Sequence, residues 1–291
     1  MRVLIVGCGY VGLPLGAELV RRGHEVFGLR RSPASELPDA GIKPLLADIT
    51  QPASLEKLPR NFDWVVNCVA SAGGGADDYR RLYLEGNRNL MAWLAGTPLQ
   101  KFIYTSSTSV YGQTDGSVVT ETSPAEPVEE TSKILVETEK MLLTAVAGRR
   151  FPAVILRVAG IYGPGRGHWF KQFLRGEARI EGDGSRWLNM IHRDDVIGAS
   201  IAALERGTPG EIFNAADNEP VTQLRFFEWL AAELKRSLPP KISVEETISR
   251  KRGATNKRVS NEKLRRELKY EFQFPDFRAG YKKILEQNRT M

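Results

Sequence analysis

The first thirty residues contain a strand pattern, a glycine-rich turn, a helix pattern and a second strand pattern. The apolar run 2–6 leads directly into residues 7–12, which have the spacing G-x-G-x-x-G. Gly7 allows a tight turn, Gly9 lets the backbone approach a pyrophosphate, and Gly12 lets the helix pack closely on the sheet. The helix N-terminus then presents N–H groups and a positive dipole end to phosphates. This context predicts a dinucleotide-binding turn, in which Tyr10 and Val11 are further expected contacts.

The end of the second strand pattern indicates which dinucleotide binds. An NAD-binding unit usually places Asp or Glu about 20 residues after the glycines, where it accepts hydrogen bonds from the ribose hydroxyls. This chain has Leu29-Arg30-Arg31-Ser32 there. A guanidinium binds a 2′-phosphate through charge-assisted hydrogen bonds, whereas a carboxylate would repel it. Arg30 and Arg31 therefore favour NADP(H) over NAD(H); the alternative is that both are simply exposed basic residues.

The charge pattern argues against a nucleic-acid partner. The chain of 291 residues has a formal net charge of +6 and an isoelectric point near 9.3. Its basic residues form scattered pairs, of which Lys251-Arg252 and Lys257-Arg258 make the densest cluster. A single basic stripe interleaved with aromatic residues is absent from the sequence, so we interpret these residues as solvated surface.

Cysteine content and hydropathy suggest a cytoplasmic protein. Cys8 and Cys68 are the only cysteines, and both are expected to be reduced and structural. Met1 leads directly into the first strand pattern, which leaves no room for a signal peptide. No apolar run reaches the roughly 18 residues that a membrane helix needs. No His, Cys or carboxylate cluster has metal-ligand spacing, so no metal is expected.

Strand and helix patterns alternate over about 215 residues, which predicts an α/β protein with a Rossmann-type, doubly wound parallel sheet. Ligand should bind beyond the carboxyl ends of the strands. The pattern loosens after Gly160. We therefore expect a dinucleotide-binding domain at 1–159 plus about 193–214, and a small, discontinuous C-terminal substrate subdomain at about 160–192 plus 215–291. Strands are predicted at 2–6, 25–29, 43–47, 63–69, 101–105, 153–158 and 211–214, and helices at 10–22, 78–95, 130–147 and 194–206.

With these segments placed, the chain resembles the extended (atypical) short-chain dehydrogenase/reductase family, in particular its NAD-dependent epimerases and dehydratases. The resemblance rests on the glycine turn and on six later segments, at 47–50, 67–72, 105–112, 157–164, 192–195 and 210–214. It implies that Asp48 contacts the adenine, that Ala70 lies along the cofactor, and that Ser107 is the catalytic Ser or Thr. It also implies a homodimer through the helices at 78–95 and 130–147.

The catalytic signature of that family is incomplete in this chain. The family has Tyr-x-x-x-Lys, in which the Lys binds the cofactor ribose and lowers the pKa of the Tyr, and the Tyr exchanges a proton with the substrate oxygen. Lys133 matches the Lys, but Glu129 occupies the Tyr position. Glu has a reference pKa of about 4.3, against about 10 for Tyr, so it starts ionised and cannot donate a proton. Glu129 is therefore either a general base or one member of an i,i+4 surface ion pair with Lys133.

Other positions also differ from the family pattern. Tyr83 and Gly160 replace two family Asn residues, and Leu188 replaces the Arg that binds the diphosphate of a nucleotide sugar. Arg186, two residues earlier, is positioned to compensate. These differences argue against a nucleotide-diphosphate sugar as the substrate.

Two functions remain open from the sequence. The first is an NADP(H)-dependent, epimerase- or dehydratase-like oxidoreductase acting on a small polar, sugar-like carbonyl or alcohol. In it Ser107 would bind the substrate oxygen, Lys133 would hold the ribose, and Glu129, Tyr111 or a bound water would supply the proton. The second is a non-catalytic dinucleotide-binding regulator or partner-binding module, which the missing Tyr suggests.

Overall fold

Strands and helices alternate along most of the protein. A computed structural model describes residues 1–71, 73–148, 151–243 and 255–289. Within these ranges the strands are β1 (Arg2–Val6), β2 (Glu25–Arg30), β3 (Lys43–Leu46), β4 (Trp64–Asn67), β5 (Lys101–Ser107), β6 (Val118–Val119), β7 (Ala153–Val158), β8 (Gly160–Tyr162), β9 (Ile180–Glu181), β10 (Trp187–Leu188), β11 (Met190–His192), β12 (Ile212–Ala215), β13 (Val221–Thr222), β14 (Lys241–Ile242) and β15 (Arg258–Val259).

The helices of the described ranges connect these strands. They are α1 (Gly12–Arg21), α2 (Glu36–Asp39), α3 (Pro52–Leu55), α4 (Ala76–Tyr79), α5 (Gly86–Trp93), α6 (Glu130–Ala147), α7 (His168–Arg175), α8 (Arg193–Arg206), α9 (Gln223–Leu234), α10 (Glu262–Glu267) and α11 (Phe277–Arg289). A π-helical segment, Arg80–Glu85, joins α4 to α5. None of the helices is long and apolar enough to cross a membrane.

Seven parallel strands form the central sheet in the order β12-β7-β5-β4-β1-β2-β3. The residues Val3–Val6 of β1 are fully buried, as expected for a parallel strand that is covered on both faces. Strand order reverses at β1, so the loops after β1 and β4 diverge and leave a crevice at the carboxyl edge. This sheet with its flanking helices confirms the predicted Rossmann-type fold.

The predicted strand limits agree with the seven central strands to within two residues. The helix predicted at 78–95 is interrupted, because Arg80–Glu85 adopts a π-helical turn between α4 and α5. Side-chain periodicity averages over a segment and does not reveal a single change of backbone hydrogen bonding.

Apolar side chains gather in two clusters. The larger cluster surrounds the central sheet. The smaller cluster includes Tyr162 and aromatic and aliphatic residues from α7, α9 and α11. Val259, Leu264 and Leu268 from the C-terminal part of the chain pack in the larger cluster. The division into a dinucleotide-binding domain and a substrate subdomain stays a prediction.

Candidate functional site

A cavity of about 710 Å³, here called the main cavity, lies at the carboxyl ends of the central strands. It extends from the residues that follow β2 and β3, across the turn after β1, to the ends of β5 and β7. Parallel strands bring their carboxyl ends to one edge of the sheet, which is where ligands bind in open α/β folds. The position of the main cavity therefore follows from the backbone topology of the sheet.

The glycine turn shapes the middle of the main cavity. Gly7 has φ of +85°, a conformation that favours glycine, and its N–H donates to the Leu29 carbonyl oxygen at 3.0 Å. A Cβ at Gly12 would lie 2.4 Å from the Gly7 carbonyl oxygen, whereas a Cβ at Gly9 would meet no atom within 4 Å. Gly12 thus allows the close helix–strand approach, and Gly9 leaves open space beside the N-terminus of α1. This geometry fits a bound pyrophosphate.

The charges around the main cavity also suit a ligand that carries phosphates. Its cationic lining residues are Arg30, Arg31, Arg166 and Lys171, against one carboxylate, Asp48, in the described part of the chain. Asp48 Oδ1 accepts hydrogen bonds from the Thr50 N–H at 2.9 Å and its hydroxyl at 2.8 Å. Positive charge therefore exceeds negative charge around the cavity, which favours anionic ligands.

Nearly all predicted cofactor contacts are brought together here. The residues that line the main cavity include Gly7, Gly9, Tyr10, Val11, Arg30, Arg31, Asp48 and Ala70. Gly12 lies behind the turn, where it sets the packing of α1. Ser107, at the end of β5, also lines the cavity, and its Oγ accepts a hydrogen bond from the Ser109 N–H at 3.2 Å.

The predicted catalytic residues Tyr111, Glu129 and Lys133 are not among the described lining residues of the main cavity. Tyr111 is fully buried, and its hydroxyl donates to Asn214 Oδ1 at 2.8 Å while accepting from Arg157 Nη1 at 2.9 Å. The structure therefore places Tyr111 in a buried polar network.

The expected ion pair between Glu129 and Lys133 is wrong. Glu129 precedes α6 with extended backbone angles (φ −71°, ψ 134°), so it does not share a helix face with Lys133. Lys133 is more than half exposed, and its Nζ lies 3.5 Å from Glu130 Oε2. The structure does not bring Lys133 together with Ser107 at the main cavity.

A second cavity of about 240 Å³, here called the side pocket, adjoins the main cavity. The two share the lining residues Ser107, Ala159, Gly160, Ile161, Gly167 and His168. Among these His168 is the titratable side chain, and partial burial lowers its pKa below the usual value. His168 begins α7, so the loop after β8 delivers it to the junction of the two cavities.

The sequence singled out Arg186 as a substitute for the family's diphosphate-binding Arg but missed Lys257, and both cations lie in the side pocket. Arg186 and Lys257 line it, together with Trp169, Trp187 and Asn189. Lys257 is 5% exposed, so the interpretation of its basic cluster as solvated surface is wrong for this residue. Lys251 and Arg252 lie outside the described residues. Only the tertiary structure buries Lys257, because its neighbours come from the loop after β5 and from β10, far away in sequence.

Comparison with known proteins agrees with this geometry. Residues 3–216 match the NAD dependent epimerase/dehydratase family. This chain belongs to the NAD-dependent epimerase/dehydratase family. The match spans the glycine turn and all seven strands of the central sheet.

Individual relatives cover most of the chain. The Protein YeeZ of Escherichia coli (strain K12) is 29% identical over 287 residues, which is 94% of this chain and 97% of the relative. A 2-alkyl-3-oxoalkanoate reductase of Stenotrophomonas maltophilia is 26% identical over 72% of this chain and 67% of its own. The structure of the dTDP-glucose 4,6-dehydratase DesIV from Streptomyces venezuelae with NAD is 21% identical, with a TM-score of 0.85 over 100% of this chain and 97% of that chain, and shares the fold.

Family membership assigns the broad chemistry. The family is that of NAD-dependent epimerases and dehydratases, one of its similar relatives is named a reductase, and this chain is accordingly an enzyme of that type. Its cofactor is a nicotinamide dinucleotide, which the glycine turn and the cationic main cavity fit. Among the described residues, no three or more His, Cys, Asp or Glu side chains lie close enough together to hold a metal ion.

Proposed function

We propose that this family member is an NADP(H)-dependent oxidoreductase that acts on a small polar, sugar-like carbonyl or alcohol without the usual tyrosine. The observation that carries the proposal is the lining of the main cavity after β2, where Arg30, Arg31 and Ser32 stand together. Two guanidinium groups at this position provide charge-assisted donors for a 2′-phosphate. The reductase name of one relative supports a redox reaction.

The proposed chemistry is centred on the junction of the two cavities. The bound cofactor would supply or accept the hydride. The Ser107 Oγ accepts from the Ser109 N–H, which leaves the hydroxyl hydrogen available to a substrate oxygen. His168 replaces the absent tyrosine in this proposal, because it is the titratable residue shared by both cavities while Tyr111 and Glu129 lie elsewhere. Its imidazole would exchange a proton with the same substrate oxygen.

Cofactor preference is tested by the double variant Arg30→Ala/Arg31→Ala. Each lost charge-assisted hydrogen bond should cost about 1.5–3 kcal/mol, so removing both guanidinium groups should raise the Kd for NADPH more than about 100-fold. The Kd for NADH should change less than about threefold, since NADH lacks the 2′-phosphate. Fluorescence titration with each nucleotide measures both constants. Arg225→Ala, which removes an exposed arginine of α9, is the matched control and should leave both constants unchanged.

Equal weakening of NADPH and NADH binding in the double variant would contradict the NADP(H) assignment.

Turnover is tested separately by following the absorbance of NADPH at 340 nm across sugars, keto acids and aldehydes. Tight NADPH binding without turnover of any compound would favour the cofactor-responsive regulator instead.

The proposal includes a homodimer and a cytoplasmic location. The dimer face would use α4, α5 and α6, and the Arg80–Glu137 ion pair at 3.2 Å links the π-helical segment between α4 and α5 to α6. Cys8 and Cys68 are free thiols, as expected for a protein of a reducing compartment. Burial raises the pKa of the Cys8 thiol to about 12, so it is unreactive at neutral pH.

A further inference from the structure

The side pocket holds two cations beside the reacting end of the main cavity. Lys257 Nζ donates hydrogen bonds to the Tyr111 carbonyl oxygen at 2.9 Å and to Thr255 Oγ1 at 2.8 Å. Arg186 Nε donates to the Thr255 carbonyl oxygen at 3.1 Å. Its Nη1 atom is buried and has no hydrogen-bond partner among the described residues. The ammonium and the guanidinium therefore retain unused donor capacity inside a pocket.

These two positive charges face only one carboxylate in the described part of the chain, and that carboxylate is near Arg186 alone. No Asp or Glu is among the described residues that line the side pocket. Arg186 forms a loose ion pair with Glu181, whose Oε2 lies 3.8 Å from Nη1, beyond hydrogen-bond distance. Burial and the charge of Arg186 together lower the pKa of Lys257 to about 8, so the ammonium is still mostly charged at pH 7. Two cations beside one loosely held carboxylate leave an excess of positive charge in a site where Lys257 is buried and Arg186 is partly buried. Such an excess is unfavourable, and an anion bound beside the two cations would relieve that cost.

The remaining walls limit the size and polarity of such a ligand. Trp169, Trp187 and Met190 provide apolar surface, and the volume is about 240 Å³. Pockets for drug-sized ligands typically have roughly 300–1,000 Å³. The side pocket thus suits a small molecule with a short apolar body and one anionic group.

We propose that the side pocket binds the carboxylate or phosphate of a small anionic substrate, with Arg186 and Lys257 as the binding residues. The inference rests on the proposed oxidoreductase function, because it assigns the substrate class for that site. Anchoring the anionic group at this end places the rest of the substrate against Ser107 and His168, which line both cavities. The substrate is then a carboxylate or a phosphate monoester that bears the reacting carbonyl or alcohol a few bonds away.

Three probes with the same aromatic body test this inference by isothermal titration calorimetry. Benzoate and phenyl phosphate carry the two candidate anions, and benzamide is the neutral control. At least one anion should bind wild-type protein about tenfold or more tightly than benzamide, and the stronger of the two identifies the group. Arg186→Gln and Lys257→Met should each weaken the anion about tenfold and leave benzamide unchanged. Lys257→Arg should retain anion binding, and so should the exposed control Arg225→Gln.

The result that would overturn the inference is equal affinity for the anions and benzamide, or anion binding that is unchanged in both Arg186→Gln and Lys257→Met. Each titration is made with and without saturating NADPH, after the Kd for NADPH has been measured on the same sample. A protein that binds the anion but not NADPH would refute the proposed function and retain this inference. A protein that binds NADPH but shows no preference for an anion would refute this inference and leave the proposed NADP(H) binding standing. Circular dichroism of each variant, with Lys257→Arg as the conservative change, separates lost binding from lost folding.

Discussion

Ser107 is the side chain on which the proposed chemistry depends most directly, because it lines both the main cavity and the side pocket. β5 ends at Ser107, and the 3₁₀ turn Thr108–Val110 follows at once, so the hydroxyl is fixed at the sheet edge. The Ser109 N–H that donates to its Oγ orients the hydroxyl further. Ser107 is therefore a rigidly held donor for a substrate oxygen.

Replacing Ser107 with alanine should lower kcat about 100-fold with a smaller change in the Kd for NADPH. The estimate follows the loss of one hydrogen-bond donor to a developing oxyanion, which typically costs about 10²–10³ in rate. Ser107→Thr keeps a hydroxyl and should restore most of the activity. Steady-state kinetics with the best compound of the substrate panel measures the effect. Similar rates for Ser107→Ala and wild-type protein would remove Ser107 from the catalytic proposal.

Single residues also show where sequence patterns mislead. Lys257 and Arg258 are adjacent basic residues, yet Lys257 is buried at the side pocket whereas Arg258 is partly exposed and lies over the Trp187 ring at 5.2 Å. Lys257 directly precedes the two-residue strand β15, which begins at Arg258. Residue type alone does not distinguish such positions, since burial comes from elements distant in sequence.

At the scale of elements, α6 is anchored to the sheet by a buried ion pair. Glu139 on α6 accepts hydrogen bonds from Arg157 on β7, with Nη2 to Oε2 at 2.7 Å and Nε to both carboxylate oxygens at 3.2 Å. The Ser106 hydroxyl donates to Glu139 Oε1 at 2.6 Å. Both charged side chains are at most 5% exposed. The pair fixes the helix behind the strand residues that lead to Ser107.

We expect Glu139→Gln to lower the free energy of unfolding by about 3–5 kcal/mol, because it leaves the Arg157 charge buried without its partner. The matched control is Glu137→Gln, on the same helix, which removes an exposed ion pair with Arg80 and should cost less than about 1 kcal/mol. Urea denaturation followed by circular dichroism measures both values. Equal losses in the two variants would show that the buried pair does not stabilise the fold more than a surface pair.

At the scale of the whole molecule, His192 lies where the two apolar clusters approach each other. It is 2% exposed, and its ring centroid is 5.3 Å from that of Tyr162 and 3.9 Å from that of Phe274. Its Nδ1 accepts a hydrogen bond from the Asp194 N–H at 3.2 Å, at the start of α8. His192 therefore takes part in the packing of the core.

Folding stability should fall at acid pH partly through His192. Burial lowers the pKa of His192 to about 4, whereas an unfolded chain has the ordinary value near 6.5. The unfolded state therefore binds the proton more readily, so this contribution is full above about pH 6.5 and is lost as the pH falls towards 4. Between pH 7.5 and pH 4.5 the loss should be on the order of 2 kcal/mol.

His192→Asn isolates that contribution, because Asn can still cap α8 but does not titrate. Urea unfolding at both pH values should show a smaller loss of stability in His192→Asn than in wild-type protein. The buried carboxyls Asp195 and Asp217, whose pKa values burial raises, contribute in the opposite direction in both proteins and cancel in the comparison. An identical pH dependence for wild type and His192→Asn would contradict the assignment.

The sequence by itself determined the sheet, the glycine turn and most of the dinucleotide site. Apolar runs, the spacing of Gly7, Gly9 and Gly12, and the pair Arg30-Arg31 are local patterns, and local patterns specify strands, turns and the residues that directly follow strands. The seven central strands were therefore predictable to within two residues, and so was the gathering of Arg30, Asp48 and Ser107 at one sheet edge.

Only the tertiary structure decided which side chains face the cavities. Tyr111 comes soon after β5 and Glu129 directly precedes α6, so the sequence suggested that both lie near Ser107. In the structure Tyr111 points into a buried network and Glu129 lies outside α6. Arg186 and Lys257 come from distant segments, and the fold brings them into one pocket. The physical reason is that the direction and burial of a side chain depend on packing between elements far apart in sequence, which no local pattern encodes.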